Sequence, residues 1–285
     1  MILVDLQQIM IASMMVHMGK SQKIEVNMFK HIALDSLRHN RVKFGAKYGE
    51  LVIACESSSN WRYEAFPYYK ANRKKDRQES TLDWDGIFEG MNSLRSDLVN
   101  YFPYRCISVE GCEADDVIGV IANEFGSQLP GGEPILILSG DKDFKQLQTY
   151  LNIDHYDPVR KRKMDVADPA EFLIELIIDG DGSDGIPNVL SADNSRALKI
   201  RQTTMTKGRV EAIKQQVKSG IWIDPIAARG YARNRQLIDL SYTPENHRAS
   251  VMAQYHEQSG RGRQHLFNYF MKNRMRGLME NINEF

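Results

Sequence analysis

Residues Ile135 to Leu138 are four consecutive apolar residues, followed by Ser139-Gly140 and then Asp141-Lys142-Asp143. So short an apolar run, closed by a glycine, reads as a buried strand. The two carboxylates then lie just beyond a strand's carboxyl end, which is where an open parallel sheet binds ligands. Alone, the pair reads equally well as Asp143 capping a helix from Phe144 beside a solvated Asp141. Repetition along the chain separates the two readings.

Met1 to Val4 form a short apolar strand ending on Asp5, and Leu51 to Cys55 another ending on Glu56. Tyr104 to Val109 is a further strand running into Glu113-Ala114-Asp115-Asp116, which opens a helix through Val117 and Ile121 ending near Gly126. Glu113 and Asp116 share a helical face, with Asp115 about 100° round from Asp116. First-turn acids favour the helix dipole, but three within four residues exceed what capping requires. Between the strands, helical spacing of apolar residues runs over 26–44 and 81–102, and a helix through Ile9 and Ala12 follows Asp5. Pro169 opens a helix through Phe172, Leu176 and Ile177 that stops at Asp179-Gly-Asp-Gly-Ser-Asp184. An EF-hand fails there, with Asp184 where Gly belongs and Leu190 where Glu belongs, so Asp181 and Asp184 form only a half-site. Beyond it the chain is helical and basic, with helices near 193–200, 207–219, 225–238, 245–258 and from His265 to Met279. The fold class is α/β: a central, mostly parallel sheet flanked by helices, with a helical C-terminal region.

If the strands are neighbours, Asp5, Glu56, Glu113, Asp115, Asp116, Asp141 and Asp143 converge on one crevice, and the loop adds Asp181 and Asp184. Such a set stays ionised only around cations, and oxygen-only ligands select Mg²⁺ or Mn²⁺. Two such ions activate a water and stabilise a leaving oxygen, the chemistry of phosphodiester hydrolysis.

Charge supports a polyanionic partner. Residues 1–195 hold 21 Lys and Arg against 30 Asp and Glu, whereas residues 196–285 hold 16 against 7. The basic third makes Lys199, Arg201, Lys207 and Arg209 candidate duplex contacts. In Trp61-Arg-Tyr-Glu-Ala-Phe-Pro-Tyr-Tyr-Lys-Ala-Asn-Arg-Lys-Lys-Asp-Arg77, aromatics alternate with cations, which points Trp61, Arg62, Tyr69, Lys70, Arg73 and Lys74 toward bases and phosphates. A solvated amphipathic helix with a few buried rings is the plainer reading of that segment. Arg160-Lys-Arg-Lys163 adds a basic turn. Cys55, Cys106 and Cys112 match neither a zinc pattern nor a disulfide framework and are expected to be reduced core residues. No apolar run reaches membrane-spanning length and the N-terminus lacks signal-peptide features, so a cytoplasmic protein is expected.

Val4-Asp5, Tyr68-Tyr-Lys-Ala-Asn-Arg73, Glu113-Ala-Asp-Asp116, Ser139-Gly-Asp-Lys-Asp-Phe144, Gly180-Asp-Gly-Ser-Asp184 and Asn281-Ile-Asn-Glu-Phe285 together resemble the 5′ nuclease (flap endonuclease) family, above all its ribonuclease H branch in T-even bacteriophages. The resemblance implies a PIN-like nuclease core over 1–180, with a basic arch segment near 57–85, and a helix-turn-helix-type duplex-binding domain over 181–285. It implies Mg²⁺-dependent 5′ to 3′ exonuclease and flap endonuclease activity on RNA primers and DNA flaps during phage-type replication, in the host cytoplasm if phage-encoded. Asp5, Asp116 and Asp141 would ligate a first ion, and Asp143, Asp181 and Asp184 a second, directly or through water, with Glu113 and Asp115 intermediate. Arg62, Lys70 and Arg73 would contact the scissile phosphate. Implied partners are forked or flapped DNA, RNA:DNA hybrid, a single-stranded DNA-binding protein and a sliding clamp, and the chain would act as a monomer. Two departures stand out: Glu56 replaces the family's usual Asp, and 187–197 lacks the glycine-rich turn that grips duplex through a monovalent cation. A haloacid-dehalogenase-like phosphatase is the alternative enzyme, but Phe144-Lys145 lacks its expected residues. An inactive structure-specific DNA-binding module is the alternative without chemistry.

Overall fold

The computed structural model describes residues 1–18 and 25–285, with the side chains of residues 16–18 and 74–76 outside the described set. The chain forms two compact units. The first comprises Met1–Ser59, Thr81–Asp165 and Pro244–Phe285, and the second Asn60–Ser80 and Val166–Thr243.

In chain order the elements are β1 (Ile2–Asp5), α1 (Leu6–Met18), α2 (Val26–Tyr48), β2 (Leu51–Ala54), α3 (Arg62–Ala65), α4 (Arg73–Gln78), α5 (Trp84–Tyr101), β3 (Arg105–Ile107), α6 (Ala114–Phe125) and β4 (Ile135–Leu138). A 3-10 helix (Lys142–Thr149) leads to β5 (Ile153–Asp157) and β6 (Arg162–Lys163). Then come α7 (Pro169–Asp179), α8 (Lys207–Ser219), α9 (Pro225–Ile238), α10 (Glu245–Glu257), α11 (Leu266–Lys272) and α12 (Arg276–Glu280).

The sheet of the first unit has the order β3-β2-β1-β4-β5-β6, parallel throughout except for the β5-β6 pair. From β1 the chain steps outward first to β2 and β3, then crosses to β4 and β5, so the winding reverses between β1 and β4. At such a reversal the connections leave in opposite directions and open a crevice at the carboxyl ends of the two strands. Asp5 ends β1 and Asp141 follows β4, so both acids stand at this switch point.

The apolar runs fill the core because strands covered by helices on both faces are continuously hydrophobic. Ile2, Val4, Ile53, Leu136 and Leu138 are buried together with Phe29, Leu34 and Leu37 of α2 and Ile87, Leu94 and Leu98 of α5. Cys55, Cys106 and Cys112 all lie buried, as expected of core residues, and the Cys55 and Cys106 sulfurs are 3.3 Å apart. β5 and β6 escape the sequence pattern because β5 turns Ile153, His155 and Asp157 inward, two of them polar.

The division of the chain departs from the expected boundary at 180 and 181, and the C-terminal residues explain why. Leu266, Tyr269, Phe270, Leu278 and Phe285 are buried in the same core as the sheet. Arg38 of α2 pairs with Glu284, and Arg41 Nη1 donates to the Glu284 carbonyl at 3.1 Å. The outer edge of β3 is closed by α10: the amide of Gln258 bonds both the N–H and the carbonyl of Cys106 at 2.8 and 3.0 Å, and Gln254 does the same for Ser108 at 3.1 and 3.0 Å. Two glutamines four apart thus act as a surrogate strand, leaving that part of the edge paired. The expected helix near 193–200 is instead a series of turns with Lys199 at φ 54°, and the expected helix from His265 to Met279 breaks at Arg274, φ 56°.

The second unit packs α7, α8 and α9 around Leu176, Ile177, Ile178, Ile213, Leu237 and Ile238. Caps set its helix starts. Asp168 accepts from Glu171 N ahead of Pro169, Thr206 from Arg209 N, and Asp224 from Ile226 N and Ala227 N ahead of Pro225.

Candidate functional site

One buried hydroxyl organises the switch point of the first unit. Ser139, fully buried, donates from Oγ to Asp5 Oδ2 at 2.9 Å and accepts at Oγ from the Asp141 N–H at 3.1 Å. Asp5 Oδ1 also accepts from Gln8 N at 3.1 Å, and Asp141 Oδ1 accepts from Asp143 N at 2.9 Å, capping the 3-10 helix. Asp141 rather than Asp143 is therefore the cap, and Asp143 faces Lys142 Nζ at 3.1 Å. Glu113 and Asp116 form a reciprocal capping box at the start of α6, with Asp116 Oδ2 accepting from Glu113 N at 2.9 Å and Asp116 fully buried. Capping thus accounts for part of what these acids do. Asp115 and Glu56 are half-buried, and the Glu56 carbonyl accepts from Arg95 Nη1 at 3.2 Å.

Among the described residues no three His, Cys, Asp or Glu side chains stand close enough to form a ready metal cage. The donor set nevertheless fits a hard divalent cation. Asp5, Glu113 and Asp116 are buried carboxylates, and acids taken from water are stable as anions when a cation joins them.

His155 supports this turn from below. Its Nε2 lies 2.8 Å from the Ser139 carbonyl, an acceptor, so Nε2 carries the proton, while Nδ1 is buried without a partner among the described residues. Burial pushes its pKa down to about 4 from 6.5. A depressed histidine pKa means that the unfolded chain binds the proton more readily, so the stability from neutral His155 is present above about pH 6.5 and is lost as pH falls toward 4. Urea midpoints measured from pH 7 to 4 should fall across that window, and His155→Gln should flatten the fall. An equal slope in both proteins would remove His155 as its source.

In the second unit a different group collects around Asp184. Its Oδ2 accepts from Tyr69 OH at 2.9 Å, its Oδ1 from Arg73 Nη2 at 2.8 Å, and Lys70 Nζ lies 3.7 Å away. The Lys70 N–H also donates to the Asp184 carbonyl at 2.8 Å. Lys70 sits at φ 52°, a costly conformation for a side chain with a Cβ, and such strain concentrates where position matters. Asp181 Oδ1 accepts from Ser183 N, Ser183 Oγ and Asp184 N at 2.7, 2.5 and 3.2 Å, which fixes the turn that presents Asp184. Asp184, expected as a metal partner, is here the counter-ion of Lys70 and Arg73.

The aromatic part of the basic segment packs inward. Trp61, Phe66 and Tyr69 are buried, so Trp61 and Tyr69 present no face to a base, while Tyr63 is half exposed. Arg62 is 2% exposed, donates from Nε to the Leu237 carbonyl at 2.9 Å and lies over the Trp61 ring, a structural placement rather than an open phosphate contact. The Lys74 side chain falls outside the described residues. Lys199, Arg201, Lys207 and Arg209 are all exposed. Ser139 and His155 are missing from the sequence-derived set; a serine between a buried strand and an acid is the signal for the first, and nothing local signals the second.

Residues 1–176 match the family of 5′-3′ exonuclease N-terminal resolvase-like domains, and residues 170–285 match the family of T4 RNase H C-terminal domains. The ribonuclease H of Enterobacteria phage T4 is 30% identical over 294 residues, covering 99% of this chain and 95% of the relative. An exodeoxyribonuclease of phage T3 is 35% identical over 120 residues, 41% of this chain and 36% of its own length. The fold is shared with the T5 D15 protein co-crystallised with metal ions, at a TM-score of 0.61 and 15% identity over 90% of this chain and 98% of that one. A substituted form of the T5 D15 flap endonuclease, solved as a pseudo-enzyme-product complex with DNA and metal ions, also has a TM-score of 0.61, at 14% identity over 90% and 98%. This membership leaves no place for the phosphatase alternative: the chain belongs to the 5′-3′ exonuclease family, in company with the ribonuclease H of phage T4.

Proposed function

We propose that this chain is a divalent-metal-dependent 5′ nuclease that hydrolyses phosphodiesters near the 5′ ends of RNA primers and DNA flaps. The observation that carries the reading is the linkage of Asp5 and Asp141 through Ser139 Oγ across the switch point between β1 and β4. Asp5, Asp116 and Asp141, with Glu56 beside them, are the ligands proposed for one ion, and Asp143 belongs to a second, with Glu113 and Asp115 intermediate. Two Mg²⁺ ions bound there would supply an activated water and stabilise the leaving oxygen. Asp181 and Asp184 are assigned to holding Lys70 and Arg73, which offer positive charge to the phosphate as negative charge develops on it. Lys199, Arg201, Lys207 and Arg209 are assigned to duplex phosphates. Mg²⁺ as the working ion, and a single-stranded DNA-binding protein and sliding clamp as partners, belong to the same proposal. Among the described residues no helix is long and apolar enough to cross a membrane.

The test is a 5′-flapped duplex and an RNA:DNA hybrid, each labelled at either end, incubated with Mg²⁺. Short 5′-end-labelled products, absent when EDTA is added, are expected; no cleavage of either substrate would overturn the reading. A second expectation concerns the cations. Lys70→Ala and Arg73→Ala should each lower kcat by about 10- to 100-fold with little change in Kd, because charge at the reacting phosphate acts in the transition state. Single-turnover rates beside equilibrium binding check this, and a change in Kd alone would make both residues ordinary backbone contacts.

A further inference from the structure

The basic turn Arg160-Lys-Arg-Lys163 is a concentration of cations separate in sequence from Lys70 and Arg73 and from the basic residues beyond 196. In the first unit it forms the tip and return strand of the β5-β6 hairpin, where Asp157 Oδ1 accepts from Val159 N and Arg160 N at 2.9 Å each and fixes the turn. Met164 N donates to the His155 carbonyl at 3.0 Å, and Gln148 Nε2 to the Met164 carbonyl at 2.7 Å, tying the hairpin to the 3-10 helix. Between the hairpin and the first turn of that helix lies a cavity of about 500 Å³ whose wall includes Gln8, Asp141, Lys142, Lys145, Arg160 and Arg162.

Four cations thus surround a cavity that ends on one carboxylate, Asp141. Lys142 and Arg160 have carboxylates nearby, Asp143 at 3.1 Å and Asp157 at 3.6 Å, but their side chains are 52% and 63% exposed. The Arg160 contact to the buried Asp157 is long at 3.6 Å and the Lys142 side chain is half exposed, so a phosphate can approach both cations. The guanidinium forks of Arg160 and Arg162 suit the paired oxygens of a phosphate better than a single carboxylate oxygen does. The position is as informative as the charge, since Asp141 belongs both to this wall and to the Ser139-linked acids.

We propose that this cavity is an anion subsite that takes a backbone phosphate of the nucleic-acid strand whose cleavage the acids carry out. The inference rests on the proposed nuclease reading and adds a contact that holds the strand beside Asp141. Each phosphate neutralised by a cation releases condensed counterions, so losing one contact lowers the slope of log K against log salt by about 0.9 for duplex DNA.

The measurement is fluorescence anisotropy of a labelled 5′-flapped duplex with wild-type protein, Arg162→Glu and the milder double variant Arg160→Gln/Arg162→Gln, in EDTA across a salt series. Affinity should fall about tenfold in Arg162→Glu, and the salt slope should drop by about one in both variants. Unchanged slopes in variants with wild-type thermal midpoints overturn the subsite. If the double variant alone keeps the wild-type midpoint, its slope decides. A 5′-hydroxyl duplex run beside the 5′-phosphorylated one separates the sources: a loss confined to the phosphorylated end means that the cavity takes a terminal phosphate, which also overturns the proposal. Wild-type cleavage of the same duplex in Mg²⁺ is scored separately, so a failed subsite with intact cleavage leaves the nuclease reading standing. Absent cleavage removes that reading whatever the slopes show.

Discussion

Asp141→Asn is expected to lower kcat by at least about 100-fold, about 2.7 kcal/mol of transition-state stabilisation, while nucleic-acid affinity changes little. The substitution separates two roles of one side chain. Asparagine keeps Oδ1, so it can still accept from Asp143 N and cap the 3-10 helix, and its own N–H can still reach Ser139 Oγ. What it loses is the negative charge, and in place of one carboxylate oxygen it puts an amide nitrogen that a cation cannot use. The variant should therefore fold with a wild-type thermal midpoint and bind flapped duplex, yet turn over too slowly to detect beside wild type. Rapid-quench cleavage together with equilibrium binding is the check. Near-normal turnover would mean that Asp141 is only a cap.

The second large effect is on stability. Gly230 lies in the interior of α9, where replacement of glycine by alanine ordinarily stabilises a helix by about 1 kcal/mol. Here a Cβ would stand 1.9 Å from the Val189 carbonyl oxygen, which is main chain and cannot swing aside. That loop is pinned on all sides. Val189 N donates to the Ile178 carbonyl at 3.0 Å, Asn234 Nδ2 to the Ile177 and Pro187 carbonyls at 2.8 Å each, and Arg233 Nη2 to the Pro187 and Asn188 carbonyls at 3.1 Å each. The overlap outweighs the propensity gain, and Gly230→Ala should lose about 1–3 kcal/mol net. Urea unfolding followed by far-UV circular dichroism measures it; a midpoint at or above wild type would show that α9 and this loop can part at little cost.

The strands that end on acids were readable because burial on both faces leaves an uninterrupted apolar run, and a glycine or an acid marks where it stops. That gave Asp5, Glu56 and Asp141 their places, and the order of the strands then put Asp5 and Asp141 together. β5 was not readable, since His155 and Asp157 occupy inward positions where apolar residues carry the signal. The segment from Trp61 to Arg77 misled for the opposite reason. Composition shows aromatic rings among cations, but whether a ring faces solvent depends on distant partners, and Tyr69 and Phe66 pack with Ile177, Ile186 and Leu237. Arg62 is held by the carbonyl of Leu237, 175 positions along the chain, beyond the reach of any local pattern. The same holds for the C-terminal residues: the resemblance implied one domain over 181–285, while Gln254 and Gln258 at the edge of β3 and Phe285 in the core bind its last part to the sheet.

The proposal that ions held by these acids contact the reacting phosphate is tested most directly by sulfur substitution. A flapped duplex carrying a phosphorothioate at the scissile position replaces one non-bridging oxygen with sulfur, a ligand that Mg²⁺ accepts poorly and the softer Mn²⁺ tolerates better. Cleavage of one stereoisomer should fall by at least about tenfold in Mg²⁺ and recover in Mn²⁺, with the oxygen substrate as the reference for each ion. An equal sulfur effect in both ions, for both stereoisomers, would contradict direct contact between a bound ion and the phosphate.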